Sequence, residues 1–187
     1  MKNYLTIAAL IAILFTACKG KKEAKQESPI SILSIIKGQL NHLDSSLYGI
    51  TKYETADSIT DTTYLKREDI RKFAAPFLSL PEIADKNYYK NYTEERFIND
   101  QQETLNITST AKNENAEIQK QIIIVIALAD GSSGKVQSIF VDRYISSKDS
   151  TVEQKLFWEL DQYFSVHNII EKENQPEKTR FTKVAWQ

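Results

Sequence analysis

The feature that most constrains this chain is a change of period. Up to about residue 90 the apolar residues recur at helical spacing. Beyond it, segments rich in β-branched and aromatic residues follow one another, separated by turn residues, over residues 95–98, 104–112, 118–128, 136–146, 153–161, 163–170 and 179–186. Helices first and strands afterwards predict an α+β fold. Its expected form is N-terminal helices packed on a curved antiparallel meander of about six to seven strands.

The first helix is expected over residues 29–46, with Ser31 as N-cap. Leu33, Ile36, Leu40, Leu43, Leu47 and Ile50 form one stripe, which Ile32 and Ile35 widen. Gly38 weakens that helix by about 1 kcal/mol relative to alanine. Residues 51–63 (TKYETADSITDTT) are polar and rich in Thr and Asp, and read as a loop. A second helix is expected over residues 65–75, with Leu65, Ile70 and Phe73 inward. Pro76 and Pro81 should stop it and shape residues 77–80 into a buried connection. A short helix near residues 83–89 completes the helical part.

Among the strands, residues 118–128 carry Ile122, Ile123, Ile124, Val125 and Ile126 in succession. Such a run predicts burial on both faces. The loop at residues 130–134 (DGSSG) should join it to residues 136–146 as a hairpin. Leu156, Trp158 and Leu160 alternate with Lys155, Phe157 and Glu159, so the two sets should face opposite sides.

The chain has one cysteine, Cys18. Before it come Lys2, an apolar stretch over residues 5–15, and the small pair Thr16 and Ala17. After it comes a lysine-rich stretch. The apolar stretch is too short to span a hydrocarbon core, which takes about 20 residues, but it suits the h-region of a signal peptide. This arrangement resembles the lipobox of bacterial lipoproteins, departing from it at Phe15, where that family usually carries an aliphatic residue. The resemblance implies a signal peptide over residues 1–17, cleavage before Cys18 and lipidation of its sulfur and nitrogen. It implies a membrane partner through lipidated Cys18, and a cell-envelope location at the outer membrane, facing the periplasm. Residues 18–28 then form a flexible tether, and residues 29–187 a single domain. Residues 67–83 (REDIRKFAAPFLSLPEI) and 155–166 (KLFWELDQYFSV) resemble small, uncharacterised envelope lipoproteins of Gram-negative bacteria.

Without Lys2 the chain carries 23 basic against 25 acidic side chains. Near neutrality argues against a nucleic-acid partner, which calls for a basic face. No residue pattern defines a catalytic set. A GxSxG elbow, a P-loop and a GxGxxG are all missing. His42 and His167 do not have HxH or HxxxH spacing, and no metal or cofactor is expected. His42 and Asp44 are two apart on a helix and cannot face each other. The carboxylate pairs Glu94 with Glu95 and Glu159 with Asp161 read as solvation. Asp57 and Asp61 lack the glycine and terminal Glu of a calcium loop, and Ser132 and Ser133 lie in a hairpin loop.

What remains is a generous set of aromatics, among them Tyr88, Tyr92, Phe97, Phe157, Trp158, Tyr163, Phe164 and Trp186. The expected function is therefore non-enzymatic: a lipid-anchored domain that binds an envelope protein or an apolar ligand. The alternatives are an envelope hydrolase using His42, His167 and carboxylates, and an interaction module pairing through an open strand at residues 181–187.

Overall fold

A computed structural model describes residues 29–56, 58–127 and 133–187. Residues 1–28, with the signal segment, Cys18 and the tether lysines, lie outside it, as do Asp57 and residues 128–132.

Helix α1 (Ile32–Ser45) starts at Ser31, whose Oγ accepts from Ser34 N at 3.2 Å and donates to Glu82 Oε2 at 2.6 Å. Ile32, Ile36, Leu40 and Leu43 are its buried face. The helix ends at Ser45, before the stripe reaches Leu47 and Ile50. Ser46 turns extended, and its N–H and hydroxyl both bond Leu43 O. Leu47 therefore leaves the helical phase and is 97% exposed, contrary to its place in the expected stripe. A Cβ on Gly38 would have no neighbour within 4 Å. Gly38→Ala should raise stability by about 0.5–1 kcal/mol in urea denaturation. A loss would mean that this turn of α1 is not helical in solution.

Residues 51–63, read as a loop, form a hairpin instead: β1 (Ile50–Ala56) and β2 (Ile59–Tyr64). Ser58, at φ 69°, turns the chain between them. The reading failed because β2 is exposed along its length, so no apolar alternation marks it. The Thr residues that looked like loop chemistry are favourable strand residues.

A 3-10 turn (Arg67–Asp69) then leads into α2 (Ile70–Phe73) and α3 (Ala75–Leu78). The single helix expected over residues 65–75 is thus broken. Pro76 does not end helical structure but opens α3, because the first helical turn needs no N–H from it. Helix α4 (Lys86–Tyr89) follows, with Asp85 Oδ1 accepting from Asn87 N at 2.8 Å.

The rest is β3 (Tyr92–Asn99), β4 (Thr104–Ala111), β5 (Ile118–Ala127), β6 (Ser133–Ser146), β7 (Ser150–Glu159), β8 (Tyr163–Lys172) and β9 (Lys178–Trp186). All nine strands form one antiparallel sheet in the order β2-β1-β9-β8-β7-β6-β5-β4-β3. The seven later strands are a meander, as expected. The β1–β2 hairpin adds two more and pairs β1 with β9, Ile50 opposite Trp186. The fold is a sheet-dominated α+β architecture with more strands than the six to seven anticipated. Strand β9 is internal, so residues 181–187 offer no open edge; the edges are β2 and β3.

One face of the sheet meets the helices. Phe77 of α3 places its ring edge-on to Trp158 at 5.1 Å and to Phe164 at 5.6 Å. Trp158 stacks on Phe164 at 4.8 Å and leans on Trp186 at 6.0 Å. Ile139, Val141, Leu156, Ile123 and Val184 extend this core. Lys52 of β1 holds its ammonium 5.3 Å from the centre of the Phe73 ring. Arg143 of β6, 11% exposed, closes the far end of the layer. It donates to Glu117, Ser79 Oγ, Gln154 Oε1 and the Pro76 carbonyl.

Candidate functional site

Among the described residues, the opposite face carries no such layer. In an antiparallel sheet, directly paired residues project to the same side. The register therefore places Ile122, Phe140, Phe157, Ser165, Lys183 and Tyr53 side by side across β5, β6, β7, β8, β9 and β1. The next row is Phe97, Asn106, Ile124, Ser138, Glu159 and Tyr163. On the other side of the aromatic row run Lys120, Asp142, Lys155, His167 and Phe181.

This arrangement corrects the expectation that β5 is buried on both faces. Ile123 and Val125 are buried against the core, but Ile122 and Ile124 are only half-buried, and Ile126 is 42% exposed. An apolar run that meets one core and no second layer leaves half of its side chains facing solvent. A register shift between Ile118 and Lys120 turns Ile118 and Gln121 to the core side together.

Neighbouring rings organise the open face. Phe157 and Tyr163 lie 5.7 Å apart, and Lys183 Nζ sits 3.9 Å over the Tyr163 ring. Phe181 meets His167 edge-on at 6.2 Å. Ser138, Ser165 and Thr104 are buried on this face. Asp142 lies between Lys120 and Lys155 in register. Burial pushes its carboxyl upward and the Glu153 charge adds to this, while Lys155 and Lys120 pull the other way. Lys155 is drawn to Glu153 instead, at 3.1 Å, which raises the ammonium's pKa. Burial, then the Glu153 charge, raises the Tyr144 phenol.

Three atoms on this face, Thr104 Oγ1, Asn106 Oδ1 and Asp142 Oδ1, are shielded from solvent and have no hydrogen-bond partner among the described residues. Buried polar atoms are normally satisfied. All three lie beneath the surface, enclosed by their neighbours.

The histidines do not converge. His42 is exposed near the C-terminal end of α1, against Tyr48, whereas His167 stands on the open sheet face. Glu94 is taken by Arg96 at 2.8 Å, and Glu95 points to the other face. Asp161, in the β7–β8 turn, binds Lys135 and Gln39, and the first of these does most to lower its carboxyl. Glu159 stands on the open face, where Gln137 Nε2 donates to its Oε1 at 3.5 Å. Asp61, within β2, accepts from Thr62 N through its Oδ1 at 2.9 Å. No group of three or more His, Cys, Asp or Glu side chains could hold a metal among the described residues.

The aromatics divide: Tyr92, Trp158, Phe164 and Trp186 belong to the core, Phe97, Phe157 and Tyr163 to the open face. The row through Asp142, Lys155 and His167 was missed in the sequence. Its members are scattered over three strands, and only the hairpin registers join them. Comparison of the chain with protein-family models, with curated proteins and with solved structures gives no match, so the reading of function rests on the sheet itself.

Proposed function

We propose that this chain is a membrane-anchored envelope lipoprotein, held at the outer membrane by lipidated Cys18, whose non-enzymatic domain binds a partner protein through the helix-free face of its sheet. The observation that carries this reading is the aromatic row Ile122, Phe140, Phe157 and Tyr53, bordered by Phe97, Ile124 and Tyr163. A broad face of half-exposed apolar side chains, interrupted by Ser165 and Lys183 between Phe157 and Tyr53, is a candidate place of contact. Tyr and Phe supply much of the contact area at protein interfaces. The breadth of the face favours a protein over a small apolar ligand, because a ligand pocket encloses its guest.

Photo-crosslinking in intact cells tests the face. A photoreactive residue at Phe140 or Phe157 should give one discrete protein adduct. The same residue at Lys37, on the exposed side of α1, should not. Phe140→Glu should abolish the Phe157 adduct while the domain keeps its melting temperature within a few degrees. Equal adducts from Lys37 and Phe157, or none from the sheet face, would remove the basis for this surface.

A further inference from the structure

A second recess lies at the other end of the β3–β5 corner. It is a half-open cleft of about 380 Å³ between α4 and the β4–β5 turn, lined by Pro81, Tyr88, Lys90, Asn91, Tyr92, Lys112, Asn113, Ala116 and Glu117. That volume falls in the range of small-molecule sites. The cleft has a fixed frame. Its floor, Tyr92, is 8% exposed and donates its hydroxyl to Ile118 O at 3.1 Å. The backbone of Lys112 bonds Asn91 O at 3.0 Å, tying the two rims together. Asn113 Oδ1 accepts from Asn115 N at 2.9 Å, which fixes the amide and leaves its NH₂ as the donating end.

The chemistry of the lining selects a ligand. Lys90 and Lys112 bring two ammonium groups. Lys112 commits one proton to Lys90 O at 2.8 Å and keeps two. The carboxylate of Glu117 is already engaged by Arg143, so it does not neutralise them. The cleft therefore presents net positive charge beside the exposed Tyr88 ring and two side-chain amides. A ring face takes the apolar face of a sugar, amides take hydroxyls, and ammonium groups take a carboxylate by charge-assisted bonds. We propose that this cleft binds an acidic sugar, a uronic acid unit, with its ring on Tyr88, its carboxylate at Lys90 and Lys112, and its hydroxyls at Asn91 and Asn113.

The site also has a defined position. Glu82, next to Pro81 in the lining, holds the Ser31 hydroxyl at the start of α1. Through Pro81 and Glu82 the cleft is thus linked to the start of α1. It is separate from the open sheet face, and it stands or falls independently of it.

Calorimetric titration of the full chain in detergent with sodium glucuronate is the test, with glucose and inorganic phosphate as comparison ligands. Glucuronate should bind saturably in the millimolar range, and about tenfold more tightly than glucose, the difference expected of one charge-assisted bond. Tyr88→Ala and the double variant Lys90→Gln with Lys112→Gln should each weaken it about tenfold without changing the melting temperature. Lys72→Gln, on the exposed side of α2, should leave it unchanged. Glucose binding as tightly as glucuronate, phosphate displacing glucuronate at equal concentration, or no saturable heat would each overturn the assignment.

Discussion

Trp158→Ala should lower the unfolding free energy by about 3–5 kcal/mol, the range for emptying a large aromatic site in a core. Phe157→Ala, one residue away, should cost about 1 kcal/mol, because that ring stands on the open face. The difference follows from contacts. Trp158 is fully buried and touches the rings of Phe77, Phe164 and Trp186, so it joins α3 to three strands. Removing it opens a cavity that Phe77 cannot fill without pulling α3 from its place. Typical domains hold only about 5–15 kcal/mol in total, so the variant should unfold at markedly lower urea. Trp158→Phe is a useful companion. The indole Nε1 has no partner among the described residues, so phenylalanine removes a buried donor as well as some volume, and its cost should fall well below that of alanine. Urea curves followed by circular dichroism measure all three. Equal losses at positions 157 and 158 would mean that the two faces have been assigned wrongly.

Cys18→Ser should move the protein from the membrane fraction to the soluble fraction, or leave it unprocessed with residues 1–17 still attached. Each buried methylene of an acyl chain contributes about 0.8 kcal/mol, and a single chain gives only reversible binding. On the proposed lipidation, anchoring through several chains on one residue would be strong, and it would vanish with the thiol. The lysines at positions 19, 21, 22 and 25 could still hold the processed protein weakly on an anionic surface, at about 1 kcal/mol each. A wash at high salt separates the two effects, since it screens lysines but does not extract acyl chains. No helix among the described residues is long and apolar enough to cross a membrane, so none of these offers a second anchor. A Cys18→Ser chain that is cleaved normally and survives the salt wash in the membrane fraction would end the lipoprotein reading.

Most of the later strands were legible because they carry an apolar side and turn residues between them, although β3 has only Tyr92 buried. The expected segments match β3–β9 to within a few residues at most ends, even for the irregular β5. The β1–β2 hairpin was not legible, since its Thr, Asp and Lys residues carry no alternation at a solvated edge. The broken helix at Pro76 was read as a stop because a proline inside a helix and a proline at its first turn look alike in sequence. For the candidate face, composition supplied the aromatics, but not which of them shared a side. That information lies in the pairing register. The alternation of Phe157 with Trp158 foretold opposite faces, while Lys183 reaching over Tyr163 depends on strands that meet only in the sheet.

The pairing of Ile50 with Trp186, and the bond from Gly49 N to Gln187 O at 3.2 Å, join the start of the domain to its last residues. The sheet is thus completed by its most distant contact, and long-range pairing is slow to form because the intervening chain must first be closed into a loop. A chain still emerging from the ribosome can form the β1–β2 hairpin, but that hairpin has no strand to join until residues 178–187 exist. The order of synthesis therefore holds the protein short of its native state until the final strand is made.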